Sequence, residues 1–163
     1  MKRLLIVYHS GTGGTRSMVR AAAAAARAEP DLQVDVLHAA DAGAEDVLAA
    51  DGYVFATPET LAAISGPMKD FFDRIYYATL ERVAGRPYAI MVCAGSDGEN
   101  AVRQISRIAT GLRLKLCAKP LVVCTHAQTP EAILAAKVIG EADLADCAEL
   151  GATFAAALAM GVY

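Results

Sequence analysis

The 163-residue sequence has no apolar run of bilayer length, no strong excess of one charge and no paired-cysteine spacing. Each absence removes a class of function. Without about 20 consecutive apolar residues no membrane-crossing helix is expected. The formal net charge is −3, with Lys/Arg and Asp/Glu mixed along the chain, which leaves no basic stripe for nucleic acid. The four cysteines, Cys93, Cys117, Cys124 and Cys147, make no C-x-x-C pair and have no histidine at metal-ligand spacing. No metal site is expected, and the cysteines read as reduced thiols, with Cys93 and Cys124 in apolar strand-like runs. Met1-Lys2-Arg3 leads directly into such a run rather than into a signal peptide, so the protein reads as soluble and cytoplasmic. Repeats and linkers are also missing. Residues 1–163 read as a single domain, long enough to bury a core without staples.

What the chain does have is concentrated near its start. Leu4-Leu5-Ile6-Val7-Tyr8-His9 is an apolar run that ends in Ser10-Gly11-Thr12-Gly13-Gly14-Thr15, and an alanine-rich helical stretch follows. The pattern describes a buried strand feeding a helix N-terminus through a turn with few side chains. Such a helix start presents unpaired N–H groups and the positive end of the macrodipole. Ser10, Thr12 and Thr15 add hydroxyl donors without positive charge, which suits a phosphate ester held by neutral hydrogen bonds. No lysine stands where a Walker loop needs one, and Arg16 occupies the place of the third glycine of a dinucleotide fingerprint. No cysteine precedes Cys93, so a phosphatase loop is excluded as well. The alternative is a plain capping turn.

The rest of the chain alternates strand and helix. Residues 3–9, 32–37, 52–57 and 88–94 read as strands, the third stopping at Pro58, and a fifth lies within 114–125. Pro120 inside that last run predicts an edge position. Helices are predicted after the glycine loop to about Ala28, from Ser65-Gly66-Pro67 onward, after Gly95-Ser96-Asp97-Gly98-Glu99, and from Thr129-Pro130-Glu131; the 40–50 stretch holds at most a short one. Ser96 and Glu99 stand at capping-box spacing. Expected inward faces are Met18, Val19, Ala22 and Ala26; Met68, Phe71, Phe72, Ile75 and Tyr76; Ala101, Val102, Ile105, Ile108 and Leu112; and Leu144, Cys147, Gly151, Phe154 and Leu158. Arg103, Gln104 and Arg107 are expected to face solvent, and Asp70 and Arg74 to pair. The alternation implies a parallel sheet with helices on both faces. A receiver domain is excluded, because Tyr8-His9-Ser10 and Thr57-Pro58 stand where its acidic residues belong.

The Ser10–Thr15 loop resembles the FMN-phosphate loop of the flavodoxin-like superfamily. Residues 56–74, with their Thr-Pro pair, Ser-Gly pair and Lys-x-Phe-x-Asp-Arg helix, are similar to its NAD(P)H-dependent FMN reductases and quinone reductases. The resemblance implies a flavodoxin-like three-layer α/β sandwich with a five-stranded parallel sheet in the order 2-1-3-4-5. It implies non-covalent FMN, with Ser10, Gly11, Thr12, Gly13, Gly14 and Thr15 at the phosphate. Pro58, Glu59, Thr60, Leu61 and Ala62 would line one side of the isoalloxazine, and Gly95, Ser96, Asp97 and Gly98 the other. The flavin would carry the redox chemistry, with NAD(P)H as donor, and no catalytic acid or base would be needed. The two flavin loops contain no Phe, Tyr or Trp, unlike the aromatic sandwich of dedicated carriers. An open ring face favours a two-electron reductase acting on a small acceptor such as a quinone. A one-electron flavodoxin and a cofactor-free interaction module remain alternatives. A homodimer completing the open face is a further expectation of the resemblance. Glu59 departs from the quinone-reductase loop, His9 could reach the ribityl chain or serve as a turn residue, and His126 is expected in a solvated loop.

Overall fold

The computed structural model describes residues 1–163. The order of elements is β1 (Lys2–Tyr8), α1 (Gly14–Ala26), β2 (Leu32–His38), α2 (Ala44–Ala49), β3 (Gly52–Thr60), β4 (Ala63–Ile64), α3 (Gly66–Thr79), β5 (Pro87–Ala94), α4 (Glu99–Gly111), β6 (Lys115–Leu116), β7 (Leu121–Cys124), α5 (Pro130–Leu134) and α6 (Glu141–Ala159). The main sheet runs β2-β1-β3-β5-β6, with β7 also on β5 and β4 on β3. All pairings are parallel except the β3–β4 hairpin. With β6 and β7 taken as two pieces of one edge strand, this is the expected order 2-1-3-4-5. The break between them holds Pro120, whose missing donor costs nothing at an edge.

Side-chain alternation along the central strands divides the core into two layers. Leu5, Val7, Tyr53 and Phe55 face one side and meet Val47 of α2, Phe71, Phe72 and Ile75 of α3, and Ile105 of α4. Leu4, Ile6, Val54 and Ala56 face the other and meet Met18, Ala22 and Ala26 of α1 and Cys147, Phe154 and Leu158 of α6. The first layer is filled by rings, with Phe55 at the centre of contacts to Tyr53, Phe71, Phe72 and Tyr88. The second is filled by close approach of small residues. A Cβ on Gly151 of α6 would stand 2.1 Å from the Ala22 carbonyl oxygen of α1, so the alanines of α1 are the surface on which α6 seats.

Most predicted faces hold: Met68, Phe71, Phe72 and Ile75 are buried, Tyr76 packs beside them, and Arg74 Nε lies 2.7 Å from Asp70. Arg74 does more than pair, because its guanidinium also donates to the Ala42 carbonyl at 2.8 Å and the Ala39 carbonyl at 2.6 Å. Arg86 performs a similar task at the end of α2, donating to the Val47, Leu48 and Ala50 carbonyls that the helix leaves unpaired.

Five local expectations are corrected. Strand β3 does not stop at Pro58 but continues to Thr60. The reason is polarity: His9 N–H donates to the Ala56 carbonyl at 3.2 Å, so residues 56 and 58 direct their main-chain groups toward β1. Pairing with β1 ends at Ala56, so Pro58 lacks a donor for which no acceptor exists. The stretch beyond is a hairpin rather than a loop, turning on Leu61 and Ala62 with φ of 50° and 60°. Ser65 and Ser96 do not cap helices by side chain. Ser65 Oγ is taken by Thr57 at 3.2 Å, and the N-cap of α4 is Gly98 at φ 84°. Gln104 does not face solvent freely; its Oε1 accepts from Ile64 N–H at 2.9 Å and holds the hairpin down on α4. The last helical region is two helices, with residues 135–140 between them.

Candidate functional site

The carboxyl ends of β1, β3, β5 and β7 open on one cavity of about 100 Å³. Ligand sites of open parallel sheets lie at this edge, where the strand order reverses between β1 and β3. The cavity is lined by Ser10, Gly11, Thr12, Gly14 and Thr15 from the first loop, Pro58 and Glu59 from the second, and Cys93, Ala94 and Gly95 from the third. Thr125, Ala127, Ile133 and Lys137 complete it from the C-terminal part of the chain.

The first loop is built to leave donors free. Gly13 is the N-cap of α1 in the left-handed region, φ 97°, and gives no side-chain cap. Ser10 instead folds back, its Oγ accepting from the N–H groups of Gly13 and Arg16, each at 3.2 Å. Both lone pairs of that oxygen are thereby used, and its own O–H remains to donate. The N–H groups of Gly11, Thr12, Gly14 and Thr15 have no partner within the chain. Thr15 is 1% exposed and its Oγ1 makes no hydrogen bond, although it borders the cavity. A buried hydroxyl without a partner costs the fold roughly 1–3 kcal/mol. Unpaired amides, an orphaned hydroxyl and a helix dipole directed at one small space describe an anion cradle. About 100 Å³ is near the room of three waters, enough for a phosphate group; anything larger attached to it lies at the mouth.

Around this cradle the structure gathers Ser10, Gly11, Thr12, Gly14, Thr15, Pro58, Glu59 and Gly95 of the predicted site. Gly13 belongs to the loop as its cap but does not line the cavity. Thr60, Leu61 and Ala62 stand out on the hairpin tip, with Leu61 97% exposed, and Ser96 and Asp97 are exposed on the opposite wall. Glu59 clasps the two walls together: its Oε2 accepts from Gly98 N–H at 2.8 Å, 39 residues away. Asn100 adds a second tie by donating to the Ala62 carbonyl. His9 lies just outside the cradle with Nδ1 buried and unpartnered; burial first, then the nearby His38, hold its pKa below the usual imidazole value. His126 is exposed, with φ 58°.

Sequence reasoning missed Cys93, Thr125, Ala127, Ile133 and Lys137. The loop after the last strand was in principle findable, since every strand of a parallel sheet delivers its carboxyl end to the same edge. Cys93 sits under the helix start: a Cβ on Gly14 would be 2.6 Å from its sulfur. Burial raises the Cys93 pKa, with the Lys137 charge opposing and Cys124 adding to the rise. It is a packed thiol rather than a nucleophile.

Comparison with known proteins decides the family, since residues 39–129, more than half of the sequence, match the NADPH-dependent FMN reductase family. The chain belongs to that family. FMN is the cofactor of these reductases, and a reduced nicotinamide is the donor in the family's name. The matched span contains the second and third walls of the site, residues 57–62 and 94–99, and ends short of the first loop on its N-terminal side. A flavodoxin of Aquifex aeolicus is 36% identical over 75 residues, 46% of this chain and 40% of that protein. An NAD(P)H dehydrogenase (quinone) of Acidithiobacillus ferrooxidans is 31% identical over 94 residues, 45% of this chain and 47% of that one. The chain thus spans less than half the length of either relative. A flavodoxin from the domain Archaea superposes with a TM-score of 0.76 at 18% identity, over 96% of this chain and 98% of that one, which fixes the fold as flavodoxin-like. The FMN reductase fold therefore carries, in this member, a neutral donor cradle that fits the monoester end of FMN. No helix of the chain is long and apolar enough to cross a membrane.

Proposed function

We propose that the chain binds FMN and passes reducing equivalents from NAD(P)H to a small acceptor such as a quinone. One observation carries the choice of a reductase: none of the residues forming the cradle or its two walls is Phe, Tyr or Trp. In this reading the O–H groups of Ser10 and Thr15 and the amides of Gly11, Thr12, Gly14 and Thr15 hold the phosphate. Pro58–Ala62 and Gly95–Gly98 would flank the ring edge. FMN held there would supply the hydride chemistry between nicotinamide and acceptor. The protein's part is positioning. Its walls carry no aromatic side chain to cover a bound ring, which would leave a ring face for two flat reactants in turn. An aromatic cover would contribute on the order of 1 kcal/mol to flavin affinity and would close that route.

The likeness to the Aquifex flavodoxin favours a second reading, an electron carrier for a partner enzyme. The two are separated by mixing the FMN-loaded protein with NADH or NADPH and a soluble quinone. Quinone-dependent nicotinamide oxidation, with no other protein present, is the expected result. A flavin-loaded protein inert to both nicotinamides supports the carrier reading. A protein that stays colourless in excess FMN removes both.

Glu59 provides a check on the ring's position. Its carboxylate, fixed between the walls by Gly98, opposes negative charge on a reduced ring beside it. Glu59→Gln is expected to raise the midpoint potential of bound FMN by on the order of 50 mV, a Coulomb effect at an effective dielectric near 20. Spectroelectrochemical titration reads the shift, and an unchanged potential places the ring elsewhere.

A further inference from the structure

We propose that Lys137 is the cationic partner of the ligand's phosphate, carried to the cradle by the strap that links α5 to α6. The inference rests on the FMN reading and adds to it a charge that the loop itself lacks. Residues Ser10–Thr15 are uncharged. Arg16 follows them, but its guanidinium lies over Gly13, 3.4 Å from where a Cβ would be, and does not line the cavity. Lys137 does line it.

The strap is seated directly on the cradle. Lys137 N–H donates to the Thr12 carbonyl at 2.9 Å. The Lys137 Cβ lies 3.3 Å from the Cβ position of Gly14, and Ile139 is buried beside the same glycine. Among residues 128–138, which are otherwise exposed, Lys137 alone is half-buried. It is also the only Lys or Arg after Lys119. The ammonium waits on local carbonyls, donating to Ile133 at 2.7 Å and Ala135 at 2.6 Å. These are the unpaired acceptors at the end of the five-residue helix α5. An ammonium has three donors, so one remains for a phosphate oxygen even with both carbonyls kept. The independent sign that an oxyanion belongs here is Thr15, a buried hydroxyl with no partner that lines the same cavity. Neutral donors would then set the geometry, and one point charge would add attraction and select a phosphorylated flavin over its alcohol.

The test compares FMN with riboflavin, which lacks only the phosphate. Quenching of flavin fluorescence is titrated with wild-type protein, Lys137→Met, Lys137→Arg and Arg16→Gln at several salt concentrations. For Lys137→Met the expected result is FMN binding about tenfold weaker with a flatter salt dependence, the size of one charge-assisted hydrogen bond. Riboflavin affinity stays unchanged, Lys137→Arg restores most of the loss, and Arg16→Gln shifts FMN affinity by less than about threefold, as an exposed charge should. FMN affinity of Lys137→Met within about twofold of wild type, or an equal loss for riboflavin, overturns the proposal while leaving the FMN reading intact. Wild-type protein that binds no FMN at any salt overturns the reading and the clamp together.

Discussion

Gly151→Ala is expected to destabilise the fold by about 3 kcal/mol or more, at the upper end of overpacking costs, lowering the melting temperature by about 6–12 °C. The sign is the informative part. Gly151 sits in the interior of a 19-residue helix, where alanine is ordinarily better by roughly 0.5–1 kcal/mol. Propensity alone therefore predicts a gain. Packing predicts the reverse, because the added methyl would meet the Ala22 carbonyl oxygen at 2.1 Å, its carbon at 2.7 Å and the Ala22 Cα at 2.8 Å. All three are backbone atoms, so no rotamer change relieves the clash and α1 and α6 must separate. Separation would open the alanine-rich layer around Ala22, Ala23 and Ala26 and tilt the N-terminus of α1, which carries the cradle. Urea denaturation of wild type and variant measures the difference; a stabilised Gly151→Ala would mean that the helices are not in contact at this point.

Thr15→Val is expected to weaken FMN binding by roughly 10- to 100-fold, the range for losing a buried hydrogen bond to a charged group. Valine conserves the volume and the branched shape of threonine, so the cavity keeps its form while the hydroxyl disappears. Because Oγ1 has no partner within the chain, the substitution removes nothing from the free protein and relieves an unsatisfied group. The apo form should be equally or more stable, and riboflavin affinity should be unchanged. A stability gain together with an affinity loss is the signature of a residue kept for its ligand. Thr15 is neutral, so the salt dependence of FMN binding should stay as in wild type, which separates its contribution from that of Lys137. Differential scanning calorimetry and parallel titrations with the two flavins read both arms.

The parts of this molecule legible in the sequence are those written in short-range patterns. The run Leu4–Val7 ending at a Ser-Gly-Thr-Gly-Gly-Thr turn signals strand, loop and helix within a dozen residues, and the structure builds the anion cradle there. The apolar spacing of Met68, Phe71, Phe72 and Ile75 gives the face of α3 for the same reason. What escaped depends on contacts between distant residues or on turns without their usual residues. The β3–β4 hairpin turns on Leu61 and Ala62, neither of which advertises positive φ, so nothing between Pro58 and Ile64 reads as a two-residue turn. The capping-box spacing of Ser96 and Glu99 misled because Gly98 takes the N-cap with φ 84°, a local glycine preference that outranks the side-chain cap. The Glu59–Gly98 clasp and the approach of Lys137 to Thr12 join residues 39 and 125 positions apart. No periodicity encodes such pairs; they follow from where the strand ends bring the loops.

The hairpin tip has a mechanical consequence. Holding Leu61 and Ala62 in the left-handed region costs about 1 kcal/mol each, and the Gln104, Asn100 and Glu59 bonds keep the arch in that strained form. The β3 side of the slot is therefore a stiff jamb. Across the gap Gly95 is pinned by His126 N–H and Gly98 by Glu59, so whatever reshaping a planar guest demands is left to the exposed pair Ser96 and Asp97 between them.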